Sequence, residues 1–144
     1  MPYIAIKGQI KDKKKVYAYV DSLCKELGIG RMWSKAIFIT FKTVIDDDNQ
    51  GNCWGDVKEG YVDINIARNS EGIKIPHDQM MQTLAHEMVH AKQYLRGELN
   101  GWNQSWKGKK PRNYSYDNAP WEKEAYAREE DLYDYCWRAN GDIS

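Results

Sequence analysis

The sequence predicts an α+β fold, and three observations carry that reading. Three stretches space their apolar residues for one helical face, and a middle stretch alternates with period two between turn residues. Their order (helix, sheet, helix, loop, helix) segregates strands from helices instead of alternating them. At 144 residues, residues 1 to 144 fit a single compact domain that buries about two-thirds of its unfolded surface.

The first helix is read from "KDKKKVYAYVDSLCKELGIG", where Val16, Ala18, Val20, Leu23 and Leu27 lie mainly on one face and glycine follows as a C-cap. In "KAIFITFKTV" Ile37, Ile39 and Phe41 alternate among β-branched neighbours, which is a strand pattern. "DDDNQGN" breaks it as a polar turn. "CWGDVKEGYVDINIARN" reads as a hairpin: a strand near Cys53 to Val57, a turn at Glu59-Gly60, then a strand with Val62, Ile64 and Ile66 on one side. The other side of this second strand is polar, as an exposed edge would be. A second helix follows in "KIPHDQMMQTLAHEMVHAKQYLRG", with Pro76 near its first position, Asp78 in its first turn and Gly97 ending it. Residues 98 to 118 have no apolar period and form a long loop. The third helix starts at Pro120, and Trp121, Ala125, Leu132, Cys136 and Ala139 make its buried stripe.

Composition narrows the function. Lys plus Arg number 21 and Asp plus Glu 21, so no global field draws the chain to nucleic acid or an acidic membrane. No apolar run matches a signal peptide or a bilayer span, and a cytoplasmic, intracellular protein is expected. Cys24, Cys53 and Cys136 form no C-x-x-C and are read as reduced, buried residues. The six Trp and ten Tyr suit cores and substrate clefts alike.

The chemistry sits in "TLAHEMVHAKQYLRGEL". Residues four apart on a helix stack on one face, so His86 and His90 aim their rings at one point, with Glu87 beside it. This is the H-E-x-x-H arrangement, two imidazoles for zinc and a glutamate as base. Water must lose a proton to attack an amide; zinc lowers that pKa to about 7 and a carboxylate takes the proton. The core stripe of this helix is Met81, Leu84, Met88, Ala91 and Leu95, about 200° from His86 at Leu84 and Met88. The histidines therefore face elsewhere, and together.

Catalytic zinc takes three protein ligands and leaves the fourth position to water. His77 precedes His86 by nine residues, half a turn out of phase. The extended H-E-x-x-H-x-x-G-x-x-H pattern fails, with Gln93 and Arg96 where glycine and histidine should stand. A carboxylate from another helix is left. "NAPWEKEAYARE" offers Glu122 in the first turn of the third helix, with Ala125 small enough to let the two helices approach.

"HEMVH" followed by "PWEKEA" resembles the gluzincin metallopeptidases, especially the small SprT-like or minimal gluzincin domains of phage and bacterial type. The resemblance covers roughly residues 36 to 137. It implies a zincin-like fold, a small, mostly antiparallel sheet packed on the H-E-x-x-H helix, with the C-terminal helix supplying the third ligand. It assigns His86, His90 and Glu122 to Zn2+ and Glu87 to catalysis. Glu124 is the close alternative to Glu122, about 200° away on the helix. Many gluzincins place an aspartate four residues after the ligand glutamate to support an imidazole. Tyr126 stands there, so another group must take that role. The third histidine and cysteine ribbon of SprT proteins proper are absent from the sequence.

The resemblance also implies an edge strand to which an extended peptide adds, and Tyr61 to Ala67 is the candidate. A donor to the oxyanion is sought among Tyr114, Tyr116 and Tyr126, with Tyr126 first because it lies one turn from Glu122. The loop "GWNQSWKGKKPRNYSY" mixes Lys107, Lys109, Lys110 and Arg112 with Trp102, Trp106, Tyr114 and Tyr116, which suits a cleft cover or single-stranded nucleic acid. The expected function is a zinc-dependent metallopeptidase acting on a protein or peptide. A DNA-associated SprT-like protease and a non-catalytic zinc-binding regulator are the alternatives.

Overall fold

The computed structural model describes residues 1–100, 105–109 and 115–139. The chain opens with strand β1 (Tyr3–Lys7), helix α1 (Lys13–Glu26) and β2 (Ala36–Lys42). A hairpin of β3 (Gly51–Asp56) and β4 (Tyr61–Ala67) follows, then two short strands, β5 (Asn69–Ser70) and β6 (Ile73–Lys74). Helices α2 (His77–Leu95) and α3 (Pro120–Tyr133) complete a mixed α+β architecture. None of the described helices is long and apolar enough to cross a membrane.

The main sheet corrects three expectations. Its order is β1-β2-β4-β3, with β1 on β2 and β2 on β4 parallel and only β3 on β4 antiparallel, so it is not mostly antiparallel. Tyr61 to Ala67 is consequently an interior strand, and the edge beside it is β3. The polar side of β4 belongs to a sheet face that no helix covers, which alternation alone does not distinguish from an edge. The third correction is β1, which was not predicted; α1 carries the chain across from β1 to its parallel neighbour β2, as a parallel pair requires.

Register aligns the apolar sets: Ile37 pairs with Val62, Ile39 with Ile64 and Phe41 with Ile66. All six are buried, and with Val16, Val20 and Leu23 of α1 and the predicted stripe of α2 they form one core. Every α2 residue from Leu84 to Leu95 is buried. The α3 stripe holds at Ala125, Leu132 and Cys136, but Ala139 is exposed and Trp137 is buried in its place. The cause is local: Asp134–Ala139 is a π-helical turn, whose greater number of residues per turn moves the inward face round by part of a residue step.

Helix α2 lies unusually close to β3 because β3 presents glycines. A Cβ on Gly51 would stand 2.7 Å from Thr83 Cγ2, and one on Gly55 would stand 2.5 Å from Tyr94 Cγ and 2.6 Å from its Cβ. The Tyr94 atoms are the base of the side chain and cannot swing aside. Gly55→Ala should therefore destabilise the protein by about 1–3 kcal/mol, read as a lower midpoint in urea unfolding. An unchanged midpoint would show that β3 is free to move off the helix.

Candidate metal centre

Helix α2 places the His86 and His90 rings one turn apart, centroids 5.0 Å from each other. Pro120 starts α3 at its first position, and Ala125, fully buried, lets α3 pack against α2. Glu122 in that first turn reaches both rings: its Oε1 is 3.1 Å from His86 Nε2 and 3.0 Å from His90 Nε2. The three side chains are buried, and one donor atom from each lies within 4.8 Å of the others. The sequence thus names all three members of the cluster.

Glu124 has a different task, which settles its part in the cluster. Its Oε1 accepts a hydrogen bond from Gln93 Nε2 at 2.9 Å and its Oε2 one from Lys92 Nζ at 2.8 Å. Gln93 Nε2 also donates to the Trp121 carbonyl at 2.9 Å. With two acceptors around its nitrogen, the Gln93 amide can turn only one way, leaving Oε1 to face His90 Nδ1 at 2.7 Å. Nδ1–H donates there, so the Nε2 lone pair of a neutral His90 points into the cluster. Lys92 holds the far end of this chain: it is buried, and Glu98 Oε1 meets its Nζ as an ion pair at 2.7 Å.

His86 is oriented from α3. Its Nδ1 lies 3.3 Å from Glu129 Oε1, whose other oxygen accepts from Gln82 Nε2 at 3.3 Å. Glu129 and Gln93 are therefore the groups that fill the role Tyr126 cannot. Sequence reasoning passed over both, although helical spacing carried a signal. Glu129 is seven residues after Glu122 and Gln93 three after His90, and both offsets keep a residue on the same face. Glu124→Ala should lower metal affinity by about ten- to hundredfold through this chain. Competition with a chelator of known affinity measures it, and unchanged affinity would mean that Gln93 needs no anchor.

The fit to a metal ion rests on donor chemistry. Two imidazole nitrogens and a carboxylate are the donors of a three-ligand catalytic zinc site, at about 2.0–2.2 Å from the ion. Tetrahedral ligands at that range stand about 3.4 Å apart, a few tenths wider than the two separations between Glu122 and the imidazoles. No other group of three such donors occurs among the described residues. Burial works against the imidazolium forms, but the hydrogen bonds and charge of Glu122 outweigh it and raise both histidines above their usual range. For Glu122 burial works upward, and the two imidazoles bring it down to about 2.

Glu87 sits one step round α2 from the cluster, beneath β3, where a Cβ on Gly51 would be 3.2 Å from its Oε2. It is buried and has no hydrogen-bond partner among the described residues. Burial pushes its carboxyl up to about 7, against the downward pull of His90 and His86. Two adjoining lobes of about 310 and 280 Å³ open over His86 and Glu87. The first is walled by Asn52 and Cys53 of β3 and by Tyr94, Leu99 and Trp121, the second by Thr83, Tyr126 and Glu129. Cys53, half-buried, thus lies in a cleft wall, while Cys24 and Cys136 are buried as expected.

Tyr126 lies against His86, ring centroids 4.6 Å apart, and its hydroxyl is 3.1 Å from that of Tyr116. Tyr116 borders both lobes, and burial together with the Tyr126 hydrogen bond pushes its phenol above the usual range. His77 is far from this arrangement: its Nε2 contacts the Lys11 carbonyl at 2.9 Å and its ring packs on Trp137. In the loop, Trp106 bridges to Leu99 and Lys109 and packs near Trp121. Trp102, Lys110, Arg112 and Tyr114 lie outside the described residues.

Fold and site together define a mixed α+β protein with a buried His-His-Glu cluster able to hold a metal ion. No family model matches the chain, and no curated protein matches it either.

Proposed function

We propose that the protein is a zinc-dependent metallopeptidase of the minimal gluzincin type, with a zincin-like fold. The observation that carries the reading is Glu87, a buried carboxylate without a hydrogen-bond partner among the described residues, bordering the same cleft as the His-His-Glu cluster. Metal binding alone does not call for such a group. Zinc held by His86, His90 and Glu122 supplies the Lewis acidity that makes water a nucleophile near neutrality.

The chain's own groups do the rest. An extended peptide adds to the open edge of β3, whose Gly51, Asn52 and Cys53 border the cleft. Its scissile carbonyl comes to lie above His86 and Glu87. The Glu87 carboxylate accepts a proton from the attacking water and delivers it to the leaving amine nitrogen as the C–N bond breaks. A carboxyl near 7 suits both transfers. The paired phenols of Tyr126 and Tyr116 supply a hydrogen bond to the oxyanion.

Two measurements test this together: elemental analysis of purified protein, and cleavage of an unbiased peptide mixture followed by mass spectrometry. One zinc per chain is expected, with cleavage lost to a chelator and restored by Zn2+. Stoichiometric metal without cleavage of any peptide would make the protein a metal-binding regulator; absence of metal would overturn the site itself.

A further inference from the structure

A second, larger cleft lies away from the His86 and His90 rings. It measures about 830 Å³, a volume usual for small-molecule sites. It lies between the turn after β1 and the start of α2, where His77 precedes His86 by nine residues, about 13 Å of helix. Its floor is aliphatic, from Ile10, Ile75, Pro76 and Met80. Its rim is cationic, from Lys11, Lys13, Arg68 and Lys74, and no carboxylate lines it.

Two features separate this rim from an ordinary solvated surface. None of the four cations forms an ion pair with a described carboxylate, although the chain as a whole is neutral. Like charges gathered round apolar surface repel one another, and a bound anion relieves that. Three carbonyl groups of the wall are also already engaged. Gly8 O accepts from Lys13 Nζ at 3.2 Å, Gln9 O from an Arg68 Nη at 3.3 Å, and Lys11 O meets His77 Nε2 at 2.9 Å. The wall offers mainly positive charge and C–H groups. A nucleotide base would find no Trp, Tyr or Phe face on which to stack. An acceptor-only head on a flexible apolar tail suits all of these walls.

We infer that this cleft binds a long-chain carboxylate, a fatty-acid anion whose alkyl tail lies on Ile10, Ile75 and Met80 and whose head is held by Lys11 and Lys74. These two lysines are exposed and their side chains make no hydrogen bond or ion pair among the described residues, so they can close on the head. The site is independent of the metal centre and stands or falls without it.

Calorimetric titration of the whole protein with sodium decanoate, below its micellar concentration, tests the inference. One decanoate per chain is expected, with affinity falling about tenfold or more in the double variant Lys11→Glu, Lys74→Glu and falling with added salt. Acetate and decanol, head and tail alone, should each bind at least tenfold more weakly. Both substituted residues are exposed, and matching far-ultraviolet dichroism will show that the variant is folded. Saturable binding left intact in the folded variant, no saturable decanoate binding by the native protein, or binding only to vesicles of anionic phospholipid would each overturn it.

Discussion

Replacing Glu122 by alanine should cost the protein its metal. The carboxylate is the one donor that α3 brings to the two imidazoles of α2, 3.1 and 3.0 Å away. Structural zinc in small domains is worth about 10–16 kcal/mol over its ligands, so one ligand of three or four contributes about 3–4 kcal/mol, several hundredfold in affinity. That loss should exceed the ten- to hundredfold expected for Glu124→Ala, and the ranking separates a ligand from a group that orients one. Chelator competition on both variants measures it. Equal losses, or a larger loss at Glu124, would reverse the assignment of the two glutamates.

Glu87→Gln should do the opposite at the metal and the most at the chemistry. The amide is nearly the same size and leaves His86, His90 and Glu122 in place, so zinc stoichiometry should hold. Peptide turnover should fall by about 10²–10⁴, the range for removing a general base. A side effect follows from burial. The Glu87 carboxyl stands near 7 in the folded protein against the ordinary 4.5. Its contribution to stability is thus fully present below 4.5 and is lost as pH rises through 7. A neutral glutamine does not carry that loss. In metal-free protein the variant should gain on the native chain between pH 4.5 and 7, by about 3 kcal/mol at most. Thermal melts across that range measure the gap. A variant that keeps its turnover would remove Glu87 from the mechanism.

How much of this was legible in the sequence depends on the kind of signal. The helices were, because their apolar spacing states which face is buried. The H-E-x-x-H segment stated more, since four residues on a helix fix two side chains relative to each other without any tertiary contact. Glu122 needed a second helix to approach, and Ala125 marked where that was possible. The failures share a cause. Alternation in β4 showed which side chains faced the core but carried nothing about which strands lay alongside, so an interior strand was read as an edge. Strand β1, only Tyr3–Lys7, is too short to show a period before the lysine run begins. Ala139 was placed in the stripe because a constant 3.6-residue pitch was assumed, and the π-helical turn broke it. Gln93 and Glu129 were visible in spacing but had no reason to be chosen until the rings they contact were in place.

One feature of α2 bears on how the protein behaves when stripped of its ion. From Leu84 to Leu95 that helix is enclosed on all sides, so two of the three donors ride on the innermost rod of the fold. The third, Glu122, rides on α3. A cation shared between them would act as a clasp on the C-terminal segment, and its removal should loosen the outer helix before the inner rod and the sheet beneath it.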